Sequence, residues 1–277
     1  MYLKDFIYND IKLSDVGFFV GFANSDNSDS VNGGSKLKLN TIKNYNLYTS
    51  EIINVDYDDN IEVTFDIIKN PCAPSFGNTV SDEEMSFVYQ WLNTKKYNKF
   101  IPIYDDNSFY NTYYYGTFTE INPIIIGGNV IGLSVTLSTN APYGFREVDK
   151  HDFHIQNSQS YINIHNDSDE IEVLYPDKFQ VTCLASGDLK IYNLNENNDH
   201  VDSKRHTELK NCISGEIITF DCVHKIITSS NVSHIKIYND FNYDFPRFYN
   251  GNNNFMSSIS CDIYVDYRPI RKVGVII

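Results

Sequence analysis

No stretch of the 277-residue sequence approaches the run of about 18 apolar residues that a membrane-crossing helix requires. The first residues, Met1 to Tyr8, lack the basic segment and apolar core of a secretory leader. Basic side chains are scarce: 22 Lys and Arg stand against 36 Asp and Glu, a net charge of -14. That balance excludes a nucleic acid held through its phosphates and argues against an anionic membrane surface. Cysteine is sparse and unpatterned, with Cys72, Cys183, Cys212, Cys222 and Cys261 spread widely and no C-x-x-C pair. A disulfide framework or thiolate zinc site needs tighter or even spacing, so these read as free thiols in a reducing compartment, mostly buried. The nucleophile elbow G-x-S-x-G, the P-loop, the dinucleotide fingerprint G-x-G-x-x-G and H-E-x-x-H are all missing. The common hydrolase, nucleotide-binding and metalloprotease classes lose support with them.

What is present in quantity is aromatic: Tyr 21 and Phe 18, with many asparagines. Aromatic and β-branched residues favour strands and asparagine favours turns, so the class is mostly β. Asn140-Ala141-Pro142-Tyr143-Gly144 divides two strand-rich patterns, because proline lacks a ladder donor and restricts its predecessor. The expected domains are 1–140 and 141–277.

In the first, strands are expected near 6–8, 16–20, 37–39, 45–53, 61–67, 100–104, 113–118 and 130–138. Ile61 to Ile67 alternates strictly, as a half-buried strand does. One helix is expected over 81–94. Ser81 with Glu84 makes a capping box, and Met85, Val88, Tyr89 and Leu92 share a face. In the second domain, strands are expected at 161–164, 171–175, 179–183, 189–192, 216–222, 235–238 and 259–267, a β-sandwich rhythm. Neither half shows a βαβ alternation.

Candidate chemistry is thin. His151 and His154 stand three apart beside Asp152, but no further ligand set accompanies them. The acidic runs 24–30 and 56–60 look like calcium ligands without the EF-hand glycine and terminal glutamate. A glycosidase carboxylate pair cannot be read from sequence. No catalytic residue, metal or cofactor is therefore assigned. Tyr113-Tyr114-Tyr115 invites a sugar-stacking reading, though a strand turns its neighbours to opposite faces. The loop 193–210 is polar enough to serve as a contact arm. Arg247, Arg268, Arg271 and Lys272 are prominent on so acidic a chain, and suit bidentate pairing with acidic surface on a neighbouring domain or subunit.

Taken in order, several phrases resemble the distal tail protein family, the baseplate hub of long-tailed, non-contractile (siphovirus-type) phages and prophages. They are Trp91-Leu92 in the helix, Ala141-Pro142-Tyr143 at the junction, and Phe245-Pro246-Arg247-Phe248 followed by Gly251-Asn252-Asn253. The last is Tyr267-Arg268 with Arg271, Lys272 and Gly274. The resemblance spans essentially the whole chain. It implies a split β-barrel with one α-helix, followed by a galectin-like β-sandwich. It also implies a homo-hexameric ring at the virion tail tip, assembled in the bacterial cytoplasm. That ring would join the tail tube protein and tape-measure end to a tail hub or lysin protein. DNA would pass through it without specific binding. A receptor-binding protein is a further candidate partner. The competing readings are a carbohydrate-binding adhesion module and, behind it, a glycan hydrolase.

Overall fold

The computed structural model describes residues 2–21, 36–43, 45, 48–57, 60–72, 77–107, 109–156, 160–196, 205–234 and 236–275. The calcium-like run 24–30 and much of the polar loop 193–210 lie outside them. The chain forms two compact units, Met1–Arg146 with Arg271–Ile277, and Glu147–Ile270.

Unit 1 is built on a seven-stranded sheet that curls into a half-barrel. Its strands are β1 (Leu3–Tyr8), β2 (Ile11–Lys12), β3 (Phe18–Gly21), β6 (Glu62–Lys69), β7 (Asn98–Tyr104), β8 (Tyr114–Ile126) and β9 (Asn129–Thr139). Their order is β2-β1-β7-β8-β9-β6-β3. Between β3 and β6 come β4 (Leu37–Ile42) and β5 (Glu51–Tyr57), a separate two-stranded sheet. The β8–β9 turn uses Gly127 and Gly128 at φ 60 and 82, where a Cβ would be strained. At Gly132 a Cβ would lie 2.4 Å from the Ile67 carbonyl oxygen, so close pairing of β9 with β6 requires glycine.

Helix α1 (Asp82–Leu92) covers the sheet. The capping box forms as expected: Ser81 Oγ accepts from Glu84 N, and Glu84 Oε2 accepts from Ser81 N. The same Glu84 oxygen lies 2.6 Å from Lys69 Nζ, which also donates to the Thr79 carbonyl at 2.7 Å. One carboxylate thus caps the helix and ties it to the end of β6. Trp91 buries its ring against Phe6, with centroids 5.9 Å apart, and donates its indole N–H to the Tyr8 carbonyl. Leu92 and Val88 are fully buried beside it. The last described residues complete this core: Val275 is buried, and Tyr114 Oη donates to the carbonyls of Val273 and Gly274.

After β10 (Gly144–Phe145), unit 2 is a β-sandwich. One sheet orders β11 (Asp149–Ile155), β19 (Cys261–Tyr267), β13 (Lys178–Cys183), β16 (Ile217–Asp221) and β17 (Ile226–Ser229). The other orders β12 (Tyr161–Asn166), β18 (Gly251–Ser257), β14 (Gly187–Asn193) and β15 (His206–Cys212). A one-turn helix α2 (Ile237–Asp240) and a short β20 (Ile270–Arg271) complete the elements. Alternate side chains meet in one core, including Phe179, Val181, Phe220, Phe255, Ile263 and Val265. Cys183, Cys212, Cys222 and Cys261 are free and buried, while Cys72 is exposed. Burial pushes the Cys261 thiol up to about 11.

Two expected strands are absent. Residues 171–175 make only a single bridge, Leu174 to Phe248, and 237–240 is helical. Helix α2 brings Asp240 Oδ2 to 3.2 Å from His234 Nε2, whose Nδ1 lies 2.8 Å from Glu216 Oε1. Conversely, β11 and β15 form where polar text suggested loops. His151 and His154 fall on β11 with opposite orientations, so this pair cannot share a metal ion.

Two predictions concern these buried charges. Burial alone would raise the Glu84 carboxyl, but the Lys69 and Ser81 contacts more than offset it and hold the group below its ordinary value. Glu84→Gln removes the carboxylate charge that faces Lys69 Nζ and lowers unfolding free energy in urea by roughly 2–4 kcal/mol. A loss indistinguishable from zero would show that this pair does not anchor the helix. Burial alone would raise Glu216. Donation from Ser229 Oγ and Ile213 N, together with His234, more than offsets it and leaves the group below 4.5. Its stabilisation is therefore present above the unfolded-state value and is lost as pH falls through the lower folded value. The stability gap between wild type and Glu216→Gln should narrow from about pH 6 to about pH 3 in urea titrations; a constant gap would contradict the linkage.

Candidate assembly surface

The hairpin β4–β5 differs from every other strand pair in unit 1. Leu37-Lys38-Leu39-Asn40 alternates, and so does Ile53-Asn54-Val55-Asp56-Tyr57, but Ile52 beside Ile53 breaks the rhythm. A bulge at Asn40/Thr41 absorbs the extra residue. Pairing then runs Leu37 to Tyr57, Leu39 to Val55 and Thr41 to Ile52 on one face. Lys38 to Asp56, Asn40 to Asn54 and Ile42 to Glu51 occupy the other. The second face is mostly polar, and Asn54 Nδ2 donates to Asp56 Oδ2 at 2.7 Å. The first is apolar and open: Leu37 is 58% exposed, Leu39 52%, Ile52 58% and Val55 40%. A two-stranded hairpin is marginal by itself in water, and an apolar face of this kind marks a contact site.

The base of the hairpin is held by rings. Tyr57 meets Tyr143 edge-on at 5.5 Å, and Tyr143 meets Phe145 at 5.5 Å. Phe145 lies 6.1 Å from both Tyr113 and Tyr115. Lys272 Nζ sits 5.8 Å from the Tyr57 centroid and Lys99 Nζ 4.2 Å from that of Tyr113. Pro142 immediately precedes this chain of rings, and Arg271 precedes Lys272. The junction phrase and part of the closing phrase thus meet at the root of one element.

The other singled-out residues lie elsewhere. Trp91 and Leu92 belong to the core of unit 1. In unit 2, Phe245 is buried against Phe220 and Phe241. Pro246 lies beside Arg247 in a small crevice with Glu196. Gly251 takes φ 82 at the start of β18, and Asn252 Oδ1 lies 3.0 Å from His165 Nδ1. Arg247 donates through Nε to Glu196 Oε1 at 2.8 Å, and its NH2 group reaches the same oxygen. Arg268 grips both Asp177 oxygens at 2.6 Å. The pairing expected with a neighbouring domain or subunit is, for these two arginines, made within unit 2. The reason is local: the Glu196 side chain is 3% exposed and needs a cation close by. The apolar face of the hairpin was missed as a site. Its signal, two alternating segments of matching phase, stands in the sequence.

Models of two protein families match the chain. One, described as a phage tail protein N-terminal domain, matches residues 1–141. The other, a phage tail C-terminal domain, matches residues 143–267. The chain belongs to this phage tail protein family. No curated protein matches it. The phage tail protein's fold is similar to that of the SPP1 Dit (gp 19.1) protein, described as a paradigm of the hub adsorption apparatus in Gram-positive-infecting phages. Identity is 10% and the TM-score 0.65, over 96% of this chain and 99% of that one. Chains of the phage P2 baseplate in its activated conformation align at TM-scores of 0.45 with Ca and 0.46 with Sr. Their identities are 9% and 8%, over 96% and 100% of this chain and 98% and 100% of theirs. The chain is thus a mostly β phage tail protein with a Dit-like fold.

Because the hairpin's apolar side chains are exposed, truncating them removes little from the isolated fold. The pair Leu39→Ala and Ile52→Ala should shift unfolding free energy by less than about 1 kcal/mol in dilute protein. A loss of several kcal/mol would mean that this face is covered within the monomer.

Proposed function

We propose that this phage tail protein is a distal tail protein. In this reading it is a structural, non-enzymatic subunit of a homo-hexameric ring at the tail tip, joining the tail tube to the baseplate hub or tail-associated lysin. The observation that carries the reading is the open apolar face of the β4–β5 hairpin. Completing the burial of its four half-exposed aliphatic side chains is worth on the order of 5 kcal/mol per contact. Such a contact is heterologous, since a hairpin and the surface receiving it differ; it closes a ring when the rotation between neighbours divides a full turn. Family membership and the Dit-like fold support the same assembly. So does the charge of -14, which gives the phosphates of passing DNA little to adhere to. Tape-measure end, tube, hub and any receptor-binding protein are the partners such a ring engages.

Negative-stain electron microscopy with solution mass measurement tests this at high protein concentration and again with purified tail tube protein present. Sixfold rings with an open centre are expected from wild type in at least the second condition. Leu39→Asp with Ile52→Asp should leave monomers that unfold at the wild-type temperature. Wild type that stays monomeric in both conditions would sink the ring; rings formed equally well by the variant would remove the hairpin from it.

A further inference from the structure

The five-stranded sheet of unit 2 turns its inner face to the core, and its outer face carries a grid of polar side chains. Register places them in rows across β11, β19 and β13. Asp152, Tyr264 and Gln180 form one row, and His154, Asp262 and Thr182 the next. Together they line an open groove of about 620 Å³, within the size range of small-molecule sites. We propose that this groove binds a neutral hexopyranosyl glycan, with Tyr264 as its stacking platform.

The chemistry of the rows argues for a polyol. Tyr264 stands mid-row, its ring offering an outward aromatic face on which the C–H face of a pyranose can lie. On either side stand a carboxylate, Asp152, and a carboxamide, Gln180, which accept from and donate to vicinal hydroxyls. His154 Nδ1 lies 2.6 Å from Asp262 Oδ1, so these two exposed groups are held together as a second polar contact. The whole set sits on sheet backbone over the buried Phe179, Val181, Ile263 and Val265, which keeps its spacing rigid. Lys178 Nζ, 5.3 Å from the Tyr264 centroid, is the end of a flexible chain that a stacked ring displaces or uses as a donor.

The same set argues against other ligands. Two carboxylates, Asp152 and Asp262, line the groove against one lysine, Lys178, so a polyanion such as a phosphate-linked polymer finds no net attraction there. The centre of a protein interface is depleted in charged side chains, whereas this groove is lined by them. The site lies wholly within unit 2 and does not depend on ring assembly, so it stands or falls separately from the hairpin.

Affinity electrophoresis of the full chain tests it, in native gels cast with dextran, a galactan or a mannan, and in a parallel gel with poly(glycerol phosphate). Retardation is expected in at least one neutral gel and not in the polyanion gel. Tyr264→Ala should weaken it about tenfold, as loss of one stacked ring does, while Tyr264→Phe retains it. Asp152→Ala should weaken it as well. Both alanine variants alter outward side chains and should keep the wild-type unfolding temperature. Three results overturn the proposal: no retardation in any neutral gel, retardation unchanged by Tyr264→Ala, or retardation confined to the polyanion.

Discussion

Every β-strand has two faces, and an apolar face must be covered by something. Among the described residues, one helix longer than four residues is available to do it. Unit 2 meets the constraint by laying two sheets on each other, so that alternate residues of both interdigitate in one core. Unit 1 has a single large sheet and meets it by curling that sheet and setting α1 over it, with Trp91 and Leu92 as the buried contacts. The Lys69–Glu84–Ser81 contact matters because it fixes where that helix sits. With α1 committed there, Leu37, Leu39, Ile52 and Val55 of the β4–β5 hairpin stay exposed among the described residues.

The division between what the sequence disclosed and what it hid follows the same constraint. Elements whose signal is local were legible. Ser81 and Glu84 declare a helix start by hydrogen bonds within four residues. The alternation of 61–67 and 259–267 declares strands with one wet face. Strand β11 was not expected, because its outward residues, Lys150, Asp152 and His154, leave little apolar signal. Residues 171–175 misled in the opposite direction. Their composition is strand-like, but only Leu174 finds a partner, and β-propensity without a partner makes no sheet. The return of the tail to unit 1, with Tyr114 bonded to the carbonyls of Val273 and Gly274, pairs residues about 160 positions apart and left no local trace.

The candidate sites show the limit more sharply. Conspicuous residues drew the eye: four cations near the end of an acidic chain. Two of them, Arg247 and Arg268, are consumed by carboxylates of their own unit, because a buried anion such as Glu196 draws the nearest guanidinium. The inconspicuous residues Leu37, Leu39, Ile52 and Val55 carry the open surface. Their alternation was readable; whether their face is covered is a tertiary fact that no window of sequence contains.

The bulge at Asn40/Thr41 shows how narrowly such a surface is specified. With side chains alternating at a period of two, a pairing slip of one residue beyond Val55 would exchange Ile52 for its neighbours. The bulge instead lets Ile52 join Leu37, Leu39 and Val55 on one face, while Lys38, Asn54 and Asp56 stay on the other. The polar face matters as much as the apolar one. Charged and amide groups on an exposed hairpin oppose indiscriminate stacking, so association is directed through a single side. A hairpin apolar on both faces would favour open-ended aggregation, which the polar face of β4–β5 opposes.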